Sequence, residues 1–478
     1  MSAANEEVKF TLKALVNKEK TEVIFAEVDS DLADVLVSFL TLPLGKIVSL
    51  LEKHYGSNSP VIGSLNTLRK SLANLDSVHF WTEGGKLMLL NPRSLFEDEC
   101  RKLKLNIDHE TKAAKYFTCG DTDCKSSYVS MYYGTSKCDR CGKSLNREIG
   151  IRKTKTGAIN GDGGVFTHKT MSFLISDDLQ VMTNVPGSII RILKNVGITN
   201  MDGSELRTVS VGLNEIMDLL KGSLLSKTPL TDLILHKTQM NSVTIMYEPG
   251  ILLHQTEKSS DPKKVIVKAL IQKSTNKFLI VQAQEDFVDF LFGLLTIPLG
   301  GVIRLLGCKT SLGSVDTFCR SIENLIGSGH LKTLVTENGP LEPMLPPKYR
   351  SHNQILSITE QRMPPLYHWP SMFNSTEYVS TRPRVDPMYF KDPKGEGSFV
   401  KRPGIFLVTD NLTVVPSRMT LSLSIVNGLK IPFSDVEEVD VEIGFEEALG
   451  ILKASLTSTY ALTSGLNSIL KKQPKQEQ

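Results

Sequence analysis

Four cysteines in two close pairs are the residues of this chain whose types and spacing indicate chemistry. Four residues separate Cys119 from Cys124, two separate Cys138 from Cys141, and thirteen lie between the pairs. Thiolates on two tight turns form the tetrahedral ligand set of structural zinc sites. The spacing predicts one structural Zn²⁺ per chain. Because four protein ligands leave no open position for water, a catalytic role for the metal is not expected.

The residues around the pairs indicate how the thiols are positioned. Gly142 follows the second pair and permits the left-handed backbone of a metal-binding turn. The intervening SYVSMYYG alternates in the manner of a hairpin. These features predict a zinc ribbon at about residues 112–155, followed by a flexible return through the glycine-rich residues 157–164. The alternative interpretation is two unrelated cysteine pairs.

The predicted ribbon is basic and rich in aromatic residues. It carries ten Lys or Arg side chains against four Asp or Glu. Such a surface could contact a nucleic-acid backbone and stack bases. The candidate contacts are Lys115, Lys125, Lys137, Arg140, Lys143 and Arg147. The alternative is an exposed ribbon whose aromatic side chains cover a small metal-centred core.

Three other cysteines, Cys100, Cys308 and Cys319, have no such spacing. We interpret them as small buried hydrophobic residues, with Cys308 and Cys319 in helices.

Blocks of similar sequence occur in the same order in both halves of the chain. TLPLG at Thr41 recurs as TIPLG at Thr296, and FLISDDLQV recurs as FLVTDNLTV. The recurrence predicts a tandem duplication of a domain-sized unit. We assign residues 1–236 to the first copy, 237–262 to a connector and 263–478 to a second copy that lacks the ribbon. Each copy is expected to fold by itself, with a modest interface between the two.

Each copy opens with an alternating strand pair, VKFTLKALV with EVIFAEV and KVIVKALI with KFLIVQA, followed by an apolar stretch. In Leu32–Leu51, Pro43 interrupts the stretch, and each half falls short of the roughly 20 residues that span a bilayer. Asp34, Ser38 and Thr41 lie together opposite the apolar positions. The pattern predicts an amphipathic helix, a break and a second short helix, with no transmembrane segment.

Later segments mix helices and strands. Ser64 and Ser314 precede helical patterns and are predicted to cap them. Because no regular strand–helix–strand rhythm is present, the predicted fold class is α+β: a duplicated unit of a hairpin and helices with a zinc-ribbon insertion.

Composition and motifs limit the classes of protein to which the chain can belong. The 478 residues are 40% hydrophobic and 22% charged, with a net charge of +3, which is ordinary for a globular protein. The N-terminus has no secretory pattern, and seven cysteines are too few for a disulfide scaffold. A cytoplasmic or nuclear protein is expected. Phosphate-loop, dinucleotide-binding and metalloprotease motifs are absent from the sequence, as is the hydrolase elbow.

The segments KALV…DVLVSFLTLPLG, the paired cysteines, FLISDDL and VGLNEIMDLLKGSLLSKTPLTDLIL resemble the plant-specific domain of unknown function 674 family. The resemblance implies a plant protein and carries no known activity. We therefore expect a non-enzymatic interaction or scaffold protein with an unidentified protein partner. The alternatives are a nucleic-acid-binding protein and an enzyme with an unrecognised site.

Overall fold

Two five-stranded antiparallel sheets form the framework of the chain in a computed structural model. The structure describes residues 8–124, 126–152, 164–168, 171–199, 203–236, 263–332, 339–362, 366–368, 387–420, 424, 427–428 and 430–472. The predicted connector, residues 237–262, and the predicted glycine-rich return up to residue 163 lie outside the described residues.

Strands and helices are mixed along the chain, which confirms the α+β class. The strands are β1 Phe10–Val16, β2 Val23–Asp29, β3 Tyr116–Cys119, β4 Tyr128–Val129, β5 Leu145–Ile149, β6 Ile151–Arg152, β7 Ser172–Ser176, β8 Val181–Thr183, β9 Glu205–Val211, β10 Val265–Gln272, β11 Lys277–Gln284, β12 Met344–Leu345, β13 Thr359–Glu360, β14 Leu366–His368, β15 Pro387–Phe390, β16 Ile405–Thr409, β17 Val414–Pro416 and β18 Val436–Ile443. The helices are α1 Ser30–Thr41, α2 Leu44–Tyr55, α3 Leu65–Asn74, α4 Glu83–Leu90, α5 Glu97–Cys100, α6 Pro186–Asn195, α7 Leu213–Leu225, α8 Pro229–Leu235, α9 Glu285–Leu294, α10 Leu299–Leu305, α11 Val315–Gly327, α12 Phe445–Thr457, α13 Ala461–Gly465 and α14 Asn467–Lys472.

The two large sheets correspond strand for strand. Their orders are β8-β7-β2-β1-β9 and β17-β16-β11-β10-β18. The two predicted hairpins, β1-β2 and β10-β11, are confirmed, and both have a register shift at the same place, at Leu15/Val16 and at Leu270/Ile271. This correspondence is what a duplication requires, although the duplication itself stays a prediction.

The apolar stretch forms α1 and α2, with the predicted break at Pro43. Every residue of α1 except Asp31 is buried, so the polar positions opposite the apolar face are enclosed as well. Ser38 and Thr41 are satisfied inside the helix, because their hydroxyls donate to backbone carbonyls three residues earlier. In the part of the chain that the structure describes, no helix is both long and apolar enough to cross a membrane.

Asp34 is buried against a segment that returns more than a hundred residues later. Its carboxylate accepts hydrogen bonds from the backbone N–H groups of Val165, Phe166 and Thr167, at 2.5, 3.1 and 2.7 Å. The buried carboxylate therefore accepts hydrogen bonds that a neighbouring strand would otherwise accept, and it satisfies three backbone donors.

The corresponding carboxylate of the second half, Asp289 on α9, has the same role. It accepts the backbone N–H groups of Phe399 and Val400 at 2.8 and 2.9 Å, and the Ser351 hydroxyl also donates to it. Two inward-facing aspartates thus anchor corresponding chain segments.

The two Thr-x-Pro-Leu-Gly segments pair with each other at the centre of the molecule. Leu44 N–H donates to the carbonyl of Ile297 at 3.0 Å, and Leu299 N–H donates to that of Leu42 at 2.9 Å. Helices α1 and α10 also pack together. The reciprocal bonds indicate an approximate twofold relation between the halves at this point.

Ser64 and Ser314 do not cap their own helices, contrary to the prediction. The Ser64 hydroxyl donates to the carbonyl of Ser458 at 2.7 Å, and the Ser314 hydroxyl donates to that of Ser226 at 2.8 Å. The acceptors lie just after α12 and α7, where helix carbonyls have no intrahelical partner. Each serine therefore caps the C-terminal end of a helix in the other half.

Helices α3 and α11 each pack on helices of their own half and also on the other half, and we call this crossing the exchange of helices. Helix α3 packs on α9 and β17 of the second half, and α11 packs on β8 of the first half. Val414 N–H donates to the Ser71 hydroxyl at 3.1 Å, and Phe80 stacks on Phe292. One continuous cluster of buried apolar side chains includes residues of both halves. The expectation of a modest interface was therefore wrong, because the halves share one core.

Candidate metal centre

The four predicted ligands lie in a small module, residues 116–149, which we call the cysteine module. Strand β3 ends at Cys119 and pairs antiparallel with β5, and a register shift between Thr118 and Cys119 turns the chain away from the ladder. Cys138 and Cys141 lie on a tight turn that Gly142 closes with a φ of +73°. The predicted left-handed glycine is thus confirmed, and it places two thiols on one turn.

The structure brings all four thiols together. Their sulfur atoms lie within 4.8 Å of one another. Cys119 Sγ is 3.3 Å from Cys141 Sγ, and Cys124 Sγ is 3.7 Å from Cys138 Sγ. Four sulfurs at about 2.3 Å from one tetrahedral ion would stand roughly 3.8 Å apart. The cluster has the size and composition of a four-thiolate metal site. Among the described residues, no fifth ligand belongs to this group.

The thiols differ in how easily they ionise. Burial and the three neighbouring thiols raise the pKa of Cys124 to about 12. Burial also opposes ionisation of Cys138, but the backbone N–H groups of Cys141 and Arg140 lower its pKa to about 6. One thiolate is therefore favoured without a cation, whereas the complete set needs the charge of a metal ion.

Within the module, β3 pairs antiparallel with β5 and, through Phe117 and Ser130, with the end of β4, so SYVSMYYG contributes one strand rather than a complete hairpin. Strand β4 also pairs in parallel with β15 of the second half, and β6, directly after the module, pairs with β14. These four strands form one sheet built from both halves. Tyr116, Val129 and Ile149 share a small apolar cluster with Met388 and Phe390. The segment predicted as an insertion in the first copy therefore also packs on the second half.

With the centre described, comparison with known proteins identifies the family. A family model described as "Protein of unknown function (DUF674)" matches residues 6–446. The chain belongs to the DUF674 family. No curated protein and no solved structure matches it.

In this DUF674 protein the five predicted nucleic-acid contacts that the structure describes are exposed, and two of them are engaged in ion pairs. Lys115 lies 3.0 Å from Glu148, and Lys143 lies 2.8 Å from Asp121. Arg147 donates through Nε to the Cys119 carbonyl at 3.1 Å.

The remaining candidates give little further support to a phosphate-binding surface. Lys137 directly precedes the second cysteine pair, Arg140 lies within it, and both are exposed. Lys125 lies outside the described residues. Asp139, beside them, pairs with Lys391 of the second half. The basic charge of the module is thus partly neutralised by its own carboxylates and by this contact.

Sequence reasoning missed an aromatic pair beside the centre. Tyr128 on β4 and Tyr389 on β15 are register partners in adjacent strands, so their side chains lie on one face of the sheet. They are 38% and 51% exposed, while their neighbours Val129 and Phe390 are buried. The alternation in SYVSMYYG indicated one exposed tyrosine, but the partner strand could not be found from local pattern.

Proposed function

We propose that the protein is a non-enzymatic scaffold whose cysteine module binds one zinc ion and presents a tyrosine surface to a protein partner. The observation that carries the proposal is the pairing of Tyr128 with Tyr389, contributed by the two halves next to the cluster. Tyrosine is enriched in the cores of protein interfaces, because it combines a large apolar area with a polar tip and few rotatable bonds. A further exposed tyrosine of the module, Tyr133, is 67% exposed.

Zinc is the proposed metal because four thiolates in a closed tetrahedral set suit it, and no redox role is required of such a site. The ion would neutralise the thiolates and fix the turn that carries Cys138 and Cys141. Since β4 follows the first pair, order in the module is needed to present Tyr128. The thiols must stay reduced to bind metal, so a cytoplasmic or nuclear location is proposed. We also infer that the two halves arose by duplication.

The metal part is tested by measuring zinc in the purified protein. We expect about one equivalent bound by the cysteine module, removed by Cys138→Ser combined with Cys141→Ser. Because the cysteines form a cluster separate from the main core, far-ultraviolet circular dichroism of the double variant should remain close to that of the original chain. Zinc that persists at the same level in the double variant would overturn the assignment.

The partner part is tested with Tyr128→Ser combined with Tyr389→Ser. Proteins captured from matched lysates by the original chain and by this variant are quantified by mass spectrometry. The matched control is Tyr460→Ser, since Tyr460 is also exposed, at 58%, but lies in the second half away from the module. At least one captured protein should be lost with the double variant, retained with the control, and bound directly as a purified protein. Equal capture by all three chains would refute the proposed surface.

Nucleic-acid binding is separated from this function by oligonucleotide titration at several salt concentrations. A protein that neutralises several phosphates loses affinity steeply as salt rises. The internal ion pairs of Lys115 and Lys143 lead us to expect weak binding, unaffected by Lys137→Ala combined with Arg140→Ala. Tight, salt-dependent binding that this pair of substitutions abolishes would replace the scaffold function with nucleic-acid binding.

A further inference from the structure

A second group of metal-ligating side chains lies at the junction of α10 and α11, in the second half. Cys308 Sγ is 3.6 Å from Cys319 Sγ, and these sulfurs and a Glu323 carboxylate oxygen all lie within 4.8 Å of one another. Cys319 is buried, whereas Cys308 and Glu323 are half-buried. The group is therefore reachable from solvent on one side and enclosed on the other.

Rigid backbone positions the three donors. Cys319 and Glu323 are four residues apart on α11 and so project from the same face of that helix. Cys308 had been expected within a helix, but it lies after the end of α10. Its φ is +53°, and its N–H donates to the Ile303 carbonyl at 2.9 Å. This left-handed turn, which is unfavourable for a residue with a Cβ, directs the chain back toward α11.

The spacing of the sulfurs fits a shared cation better than a disulfide. Two thiolates on one tetrahedral zinc ion are roughly 3.8 Å apart, from metal–sulfur bonds of about 2.3 Å. A disulfide requires about 2.05 Å between the sulfurs. The observed 3.6 Å between Cys308 and Cys319 is close to the first value, and Glu323 supplies an oxygen donor on the same side.

The charges around the group also suit a divalent cation. With both thiols deprotonated on binding a metal, the site would bring three negative charges together, and a divalent ion would offset two of them. Arg304 Nη1 donates to Glu323 at 2.7 Å, which holds the carboxylate in place as a second-sphere partner would. Asp316 is engaged elsewhere, since it accepts hydrogen bonds from Thr310 at 2.8 and 3.1 Å. Among the described residues, the metal-ligating atoms of this group are thus two sulfurs and one carboxylate oxygen.

We propose that Cys308, Cys319 and Glu323 form a second metal site, for a thiophilic divalent cation, with one coordination position open to an exogenous ligand. Three protein ligands distinguish it from the closed four-thiolate cluster, because sites of that number hold water or a substrate atom in the fourth position. The site is independent of the cysteine module and of its proposed partner.

The test is a Co²⁺ titration of the full chain in a reductant that does not bind metal. All measurements use a background chain that carries Cys138→Ser combined with Cys141→Ser, so that the cobalt absorption comes from the second site. Binding of one Co²⁺ equivalent, with a sulfur-to-cobalt charge-transfer absorption, is expected. Cys308→Ser added to this background should abolish the absorption, and Glu323→Gln should weaken binding by roughly tenfold or more.

The matched control is Cys100→Ser in the same background. Cys100 is buried, lies 3.7 Å from the Thr41 hydroxyl and belongs to neither group of metal-ligating side chains, so its removal should leave the cobalt signal unchanged. Thermal melts establish that each variant is folded, and Glu323→Gln alters a partly exposed side chain if Cys308→Ser proves unstable. No charge-transfer band in the background chain, a band unchanged by both site variants, or a Cys308–Cys319 disulfide under the reductant would overturn the proposal.

Discussion

Replacing Asp34 with alanine tests the interpretation that a buried carboxylate anchors residues 165–167. The change removes the acceptor for three backbone N–H groups and leaves the donors in a dry environment. An unsatisfied buried donor costs about 1–3 kcal/mol, so three would cost about 3–9 kcal/mol. Water entering the vacated space and the loss of a buried charge reduce this figure. We expect a net loss of about 3–5 kcal/mol in the free energy of unfolding.

The assay is equilibrium urea unfolding at neutral pH, followed by tryptophan fluorescence and circular dichroism. Asp31→Ala is the matched control, because Asp31 lies on the same helix, has a side chain that is 37% exposed and lies 3.9 Å from Lys104. That change should alter stability by less than about 0.5 kcal/mol. A loss below about 1 kcal/mol for Asp34→Ala would refute the anchoring role.

The pH dependence of the free energy of unfolding tests the role of Asp34 in a second way. Burial raises the pKa of the Asp34 carboxyl above its usual value of 3.8, despite the opposing hydrogen bonds from Val165 and Thr167. A raised folded-state pKa contributes stability that is complete below the unfolded pKa and is lost as pH rises through the folded pKa. The original chain should therefore gain stability relative to Asp34→Asn as the pH falls from neutral toward 4. A difference that is constant with pH, or that changes in the opposite direction, would contradict the raised pKa.

Two further predictions concern the shared core. Leu36→Ala and Leu291→Ala should each lower the free energy of unfolding by about 2–5 kcal/mol, because both side chains are buried; a thermal melt nearly unchanged in either variant would contradict this burial. Residues 1–236 and 263–478 expressed separately should be insoluble or molten and should recover cooperative unfolding when co-expressed, since α3 and α11 are exchanged; two independent cooperative melts would contradict the shared core.

The cysteine cluster could be predicted from sequence because its determinants are local. The ligands span Cys119 to Cys141, and the turn that joins the second pair is set by Gly142. The surroundings of the cluster could not be predicted in the same way. Strands β14 and β15 are three and four residues long and join from the other half, so they leave no periodic signal that points to the module.

Periodicity also gave no partner for Asp34 and the wrong partner for Ser64, for a shared reason. It shows correctly that a position is polar but cannot show which distant backbone group will satisfy it. Asp34 meets N–H groups about 130 residues later, and Ser64 meets a carbonyl 394 residues later. The hairpins were predictable since alternation is a property of the strand itself, whereas the exchange of α3 and α11 depends on which of two similar surfaces each helix contacts.

The exchange of helices has a consequence for the nascent chain on the ribosome. The end of α7 is capped by Ser314, which follows Ser226 by 88 residues. At about 5–20 residues per second, the growing first half waits roughly 4–18 seconds for the serine and the helix that complete it. Its apolar surface is open to chaperones and to other nascent chains throughout that interval. We therefore predict that the rate of translation between these two serines affects how much of the protein reaches its native state.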